Sequence, residues 1–468
     1  MSTELARVEA RPQLPLHPSI IVALALSSSL LVGAVMVQST RLGIAACVGL
    51  CYVPLALLNL PLAIVLWLPL VSLTAVAALD VGPNVAAILI SFGWLGAFAT
   101  RYSQIPALVA EHGRLLVAVG AMTLWMLASV AWAIRAPLGS DVFFGWLVAG
   151  LMVLVISTTL TDRRYLRLGA AAFILGMVVS VAIGLVGGAV QVAPFEPGPP
   201  RIVGGSGDPN FLAAGIVPAI VLTIGLSAGR RGIERRVVAL AVTAMLTYGL
   251  VATQSRAGII AAAVALVAAL VVAKRQRARV LALVLSIVGV VVGFFSVDPQ
   301  AWQRLSDFSD SSGRDELWNV AWRMWQDHPV VGVGMEGFVD NAASYVREVG
   351  PLKFAAYVTE EPKVVHNTYL ELLAEAGIVG LVLYVAVVGT CLASAWKAAG
   401  YFARAGDIPM VTLSRCLVVS VLAMLTAAFF VSAGTDRRLW VLLAMGPALL
   451  AAARREAALG PSRPVRST

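Results

Sequence analysis

Charge is what this chain has least of: 13% of its 468 residues are Asp, Glu, Lys or Arg, against 59% hydrophobic. The mean hydropathy of +0.88 lies far outside the range of soluble globular proteins, which excludes a water-soluble domain. Cysteine is sparse too. The four, Cys47, Cys51, Cys391 and Cys416, all fall inside apolar runs, and the spacing Cys47-x3-Cys51 is neither a redox nor a zinc pattern, so no disulfide or metal site is expected. Ionisable residues are also rare in the middle of the apolar runs, where ion-coupled transporters keep buried carboxylates or cations. A site at a membrane surface is favoured over a transport path. Arg7 and Arg11 precede the first apolar run, but no small-residue cleavage site comes after it, so an uncleaved anchor is expected.

What the chain has in abundance is hydrophobic length. Apolar stretches of about 17–25 residues, enough to cross the hydrocarbon core, recur from Ser19 to Ala452, and about 14 can be drawn. The expected fold is all-α, a polytopic transmembrane helical bundle of about 12–14 spans with a large outward loop carrying short amphipathic helices. The net charge of +9 does not point to nucleic acid, because the cations cluster in alternate short loops, the pattern that orients membrane proteins. "TDRRYLR" (161–167), "GRRGIERR" (229–236), "KRQRAR" (274–279), "WKAAGYFARAGD" (396–407) and the basic tail belong on the cytoplasmic side. Residues 190–210, "TQSRAG" (253–258), 297–366 and "SAGTDRR" (432–438) then face the periplasm or exterior. The chain divides into N-terminal spans (1–160), central spans with short outward loops (161–296), an outward cap (297–366), C-terminal spans (367–453) and a cytoplasmic tail (454–468).

The unusual polar residues lie in the outward loops. Arg256 sits in the tight turn "TQSRAG", on the side where the positive-inside rule does not want an arginine, although an arginine at a span end also snorkels for purely structural reasons. Arg201 lies in a Pro/Gly-rich loop that ends with Asp208 and Asn210, where Asp208 fits a helix cap. In "SSGRDELWNVAWRMWQDHPVVGVGMEGF" (311–338), Ser312 and Asp315 fit a helix start that puts Arg314 in its first turn, and Pro329 ends that helix. Trp318, Trp322 and Trp325 would form one aromatic face suited to the membrane interface. "GVGMEG" (332–337) matches G-x-G-x-x-G without a strand before it, so a tight turn is expected, with its N–H groups open to a phosphate, rather than a dinucleotide site.

His366 opens a span on the outward side, and the chain has only four histidines. At 100° per residue, His366, Tyr369, Leu370, Leu373 and Gly377 share a helical face from which Asn367, Glu371 and Glu375 turn away, and Thr368 with Glu371 fits a capping box. The glycines further along this span permit close helix contact. Guanidinium groups bind phosphate bidentately, and a neutral imidazole accepts a proton from an attacking hydroxyl. Together they suit attack of a sugar hydroxyl on a lipid-diphosphate-linked glycan, with arginines holding the leaving diphosphate.

"SRxG" at Ser255 to Gly258, "SGRxxLWxxAW" at Ser312 to Trp322, "PxxGxGxxxF" at Pro329 to Phe338 and "HNxxLxxxxExGxxG" at His366 to Gly380 together resemble the O-antigen ligase and polymerase superfamily. The resemblance implies a GT-C-like membrane glycosyltransferase of the bacterial inner membrane. Such an enzyme moves a glycan from undecaprenyl diphosphate to an acceptor glycan at the periplasmic face, without cofactor or metal. It implies His366 as catalytic base and Arg256 as diphosphate ligand, with Arg201 and Arg314 as further donor-binding candidates and Asn367, Asp208 and Tyr369 in support. The acceptor would be lipid A-core for a ligase, or a growing polysaccharide for a repeat-unit polymerase, and some relatives transfer to protein. A flippase for lipid-linked sugars would need a polar path and an inverted repeat, neither evident here. A structural scaffold fits poorly with the dense polar motifs of 297–380.

Overall fold

The computed structural model describes residues 33–76, 82–99, 105–134, 140–190, 200–228, 232–272, 314–349 and 364–459, with a few isolated positions besides. They form helices α1 (Thr40–Leu58), α2 (Leu60–Trp67), α3 (Gly82–Ala99), α4 (Ile105–Ala128), α5 (Asp141–Thr159), α6 (Arg163–Gly187) and α7 (Pro209–Ser227). Next in the chain are α8 (Ile233–Ala252), α9 (Arg256–Val272), α10 (Arg314–Asp327), α11 (Gly337–Val349), α12 (Thr368–Arg404), α13 (Ile408–Ala427) and α14 (Arg437–Leu459). Among the described residues, extended pairing is limited to one bridge between Val190 and Arg201. This is the all-α bundle expected from the apolar runs, and the physical reason is the lipid: only a helix satisfies its own backbone donors where water is absent. Seven helical segments among the described residues are long and apolar enough to cross a membrane. Large apolar side chains such as Leu57, Val117, Leu124 and Val267 lie exposed on the outside. The expected span 279–296, the loop 274–279 and the helix start at Ser312 lie outside the described residues.

The core is built around α14, which is buried along 438–453. Its Trp440 ring meets Trp146 of α5 and Tyr384 of α12 edge-on, with centroids 6.1 Å apart in both pairs. Small residues set the close approaches: a Cβ on Gly446 would run into the Cys391 carbonyl of α12, and one on Gly225 of α7 would press on Cys416 of α13. Helices α7 and α13 are antiparallel, since Gly225 lies level with Cys416 while the Ser420 hydroxyl donates to the Pro218 carbonyl at 3.2 Å.

This packing sorts the loops onto two ends. At one, Arg163 pairs with Asp407 and with Glu456, and Arg455 donates to the Thr161 hydroxyl. At the other, the Arg201 guanidinium reaches the Thr253 carbonyl at 2.8 Å, and Arg438 reaches the Ser206 hydroxyl at 3.0 Å. Where they are described, the loops rich in cations and the loops rich in motifs therefore occupy opposite ends.

Helix α12 is not one rod. Gly377 adopts φ 66° and ψ −170°, a conformation open essentially to glycine alone, and it breaks the helix. Into the break comes the loop after α10. Val333 and Gly334 N–H donate to the Ala374 and Glu375 carbonyls, both at 2.9 Å. Below the break, Ile378 N–H donates to the Pro329 carbonyl at 2.9 Å, and the Trp125 indole N–H donates to the Ala376 carbonyl at 3.0 Å. The loop thus supplies the partners that the broken helix loses. Gly377 is the break itself rather than a site of helix–helix contact, which corrects the expectation for this glycine. Its replacement by Ala should lower stability by about 1–3 kcal/mol from backbone strain, and by more because the new Cβ would strike Val330. Thermal unfolding in detergent measures this, and an unchanged midpoint would refute it.

Candidate active site

Five helices, α5, α7, α9, α12 and α14, begin at the motif-bearing end. Each start is capped by a side chain. Asp208 accepts from Asn210 and Phe211 N–H at 2.7 and 2.9 Å, and Ser255 accepts from Gly258 N–H at 3.2 Å. Asn367 accepts from Tyr369 and Leu370 N–H at 3.0 and 3.2 Å, Ser140 from Phe143 N–H at 3.1 Å, and Asp436 from Arg438 N–H at 2.9 Å. Converging N-termini direct the positive ends of the helix dipoles to one side of the membrane, an electrostatic setting that favours anions.

Arg201 is buried, and its guanidinium donates to the Thr253 carbonyl and, at 3.2 Å, to the Asn210 side-chain oxygen. The same oxygen accepts from the Ser255 hydroxyl at 2.8 Å, next to half-buried Arg256. Asn210 therefore ties the two loops that carry Arg201 and Arg256. Beside them lies Arg438, buried, paired with Asp436 at 2.6 Å and donating to the Phe211 carbonyl at 2.9 Å. Sequence reasoning missed Arg438. The signal was present, since "TDRR" puts arginines in a loop expected to face outward, by the same rule that singled out Arg256.

His366 precedes α12 with a φ of 54°, in the left-handed region. It is outside the helix, so the helical-wheel relation drawn from it to Tyr369 and Gly377 does not hold. The expected capping box fails too. Asn367 is the cap, and the Thr368 hydroxyl instead donates to the Val431 carbonyl at 2.8 Å and accepts from Ala433 N–H at 2.8 Å. Ser432 joins the two groups that matter here: its hydroxyl accepts from His366 N–H at 3.1 Å and hydrogen-bonds the Glu371 carboxylate. His366 is thereby fastened to the segment that leads into Asp436 and Arg438. Tyr369 is held away on α13, its hydroxyl donating to the Leu425 carbonyl at 2.7 Å and its ring 4.3 Å from Phe429.

Glu375 is buried and accepts from the Glu336 and Phe338 N–H groups. Gly332, Gly334 and Glu336 all take positive φ, as the tight turn requires. Because the N–H groups of Gly332, Val333, Gly334, Gly337 and Phe338 are all bonded within the protein, they are not open to a phosphate, which corrects that expectation. The turn holds the His366-bearing helix in place. Arg314 begins α10, whose Trp318 indole donates to the Val365 carbonyl at 3.2 Å and packs on Phe430. The three tryptophans do not act as one face: Trp318 turns inward, while Trp322 is exposed and meets half-buried Trp325 at a 52° tilt, with ring centroids 4.6 Å apart.

The molecule is thus a multi-pass helical membrane protein with arginines and a strained histidine gathered at one end. Residues 237–385 match the family model described as O-antigen ligase. A comparison with curated proteins gave no match. The matched segment includes Arg256, Arg314 and His366 but not Arg201 or Arg438. Replacing Asn367 by Ala should cost about 1 kcal/mol through loss of the cap, and by Asp or Ser much less. Chemical denaturation of the three variants distinguishes these, and equal losses in all three would refute the capping role.

Proposed function

We propose that the chain is a membrane glycosyltransferase of the ligase type, moving a glycan from undecaprenyl diphosphate to lipid A-core at the periplasmic face of the inner membrane. The observation that carries this reading is that hydrogen bonds tie three motif loops together: His366 N–H to Ser432 in the segment 432–438, Arg438 of that segment to the Phe211 carbonyl, and neighbouring Asn210 to Arg201 and Ser255. An acceptor hydroxyl oxygen attacks the anomeric carbon of the donor sugar, and the bond from that carbon to the diphosphate oxygen breaks. His366 takes the hydroxyl proton. Arg256 binds the diphosphate that leaves, within a field to which Arg201 and the helix starts capped by neutral Ser140, Ser255 and Asn367 contribute positive potential. Arg314 reaches the donor from the cap. The arginines take the role that a metal fills in other diphosphate enzymes.

The cations Arg163, Arg235, Arg404 and Arg455 at the opposite end support an outward site. The left-handed backbone at His366 also selects the right variant: Asn tolerates that conformation and cannot act as the base. His366→Asn should lower the turnover of purified lipid-linked glycan by roughly 100- to 10,000-fold while the protein stays folded in the membrane. Arg256→Lys keeps the charge but loses the fork, so donor use should weaken while the acceptor KM stays unchanged. Normal turnover by His366→Asn would rule out the base. Offering lipid A-core and a second lipid-linked glycan as competing acceptors separates ligase from polymerase, and elongation on the carrier would overturn the ligase reading. Movement of donor across vesicles without transfer would replace both by a flippase.

A further inference from the structure

At the end opposite the motifs, a cavity of about 780 Å³ opens between α4, α12 and α14. Its lining runs along α12 from Ala386 to Lys397 and along α14 from Pro447 to Arg454. At 1.5 Å per residue, the α12 wall is about 16 Å long. The composition is graded along that length. Toward the middle of the bundle the walls are Ala386, Gly389, Ala393, Leu450 and Ala451, with Thr390 and Ser394 between them, whose hydroxyls donate to the Ala386 and Thr390 carbonyls of their own helix. Toward the charged end they carry Lys397 and Arg454, and Arg114 of α4 also lines the cavity. One carboxylate, Glu111, also lines the cavity, 3.9 Å from the His112 ring. Three cations thus face one acid, and none of the three is paired with a carboxylate among the described residues.

The depth of the charged end is marked independently. Trp396, next to Lys397, is exposed, and Arg404 lies over the Tyr401 ring at 4.6 Å, a belt typical of the headgroup level. Val382 and Val385, on the turns nearer the bilayer middle, are exposed among apolar neighbours. A crevice with an apolar length at hydrocarbon depth and a cationic end at headgroup depth matches a molecule with the same polarity.

We propose that this cavity binds an anionic phospholipid, its phosphate among Arg114, Lys397 and Arg454 and its first acyl segment along the small residues of α12 and α14. Basic pockets between spans recognise such headgroups by charge. The site is separate from the glycan chemistry, and it joins α12 and α14, the helices that carry His366 and Arg438 at their other ends.

The full-length chain in neutral detergent is titrated with phosphatidylglycerol, phosphatidylcholine or inorganic phosphate, with retained lipid read by native mass spectrometry and unfolding by a thermal scan. Phosphatidylglycerol should bind and raise the midpoint, and the other two should not. The double variant Lys397→Gln, Arg454→Gln should weaken that binding by about tenfold or more, whereas Lys397→Arg with Arg454→Lys should keep it. Should the double variant fail to fold, the single change at exposed Lys397 gives the reading, with a several-fold loss expected. Equal binding of phosphatidylcholine, an equal response to free phosphate, or undiminished binding by the glutamine variants would each overturn the proposal. No glycan is present in the titration, so its failure would leave the reading of the opposite end untouched.

Discussion

The seating of the cap on α12 depends on how the backbone of that helix is satisfied where Gly377 breaks it. A helix in lipid keeps its hydrogen bonds to itself, and a break frees carbonyls and N–H groups that hydrocarbon cannot serve. Here the Pro329 to Gly334 segment takes up Ala374, Glu375 and Ile378, and Trp125 takes up Ala376. The buried Glu375 carboxylate then collects the N–H groups of Glu336 and Phe338. Two motifs that are far apart in the chain, "PxxGxGxxxF" and "HNxxLxxxxExGxxG", are therefore halves of one joint. The short helical segment above the joint packs with the cap, where Ala374 shares a small core with Leu317, Met324, Phe338 and Val365. The long segment below it packs in the bundle.

Backbone strain tracks the same map. The non-glycine residues with positive φ among those described are Gln254, Glu336 and His366, and each sits inside one of the motif loops. Such conformations persist only where the surroundings over-determine them. The Asn210 bridge, the Glu375 carboxylate and the Ser432 hydroxyl provide that constraint for the three loops in turn. The result is a set of charged and polar groups on fixed supports at the ends of five helices.

Much of this was legible in the residues. Long apolar runs gave the helical bundle, and the alternation of Arg and Lys sorted loops that the structure then places at opposite ends. Asp208 as a cap and the G-x-G-x-x-G segment as a turn came from local chemistry. What could not be read was partnership between distant segments. Glycine spacing alone does not say whether Gly377 packs or breaks, because the answer depends on a loop some forty residues earlier. Assigning Thr368 as cap failed for the same reason: its hydroxyl is taken by Val431 and Ala433, so Asn367 does the capping. Arg438 went unnoticed because its importance comes from Ser206 and Phe211, more than two hundred residues away.

The joint at Gly377 also constrains how the protein is made. Helix α12 follows the cap segment in the chain, and the Ala374 and Glu375 carbonyls at its break find their partners in that segment. Completion of the helix end and docking of the cap segment are thus coupled events. A chain whose cap is held back during biogenesis would present an open, hydrogen-bond-deficient helix end to lipid, a state that membrane quality control can recognise before any substrate is met.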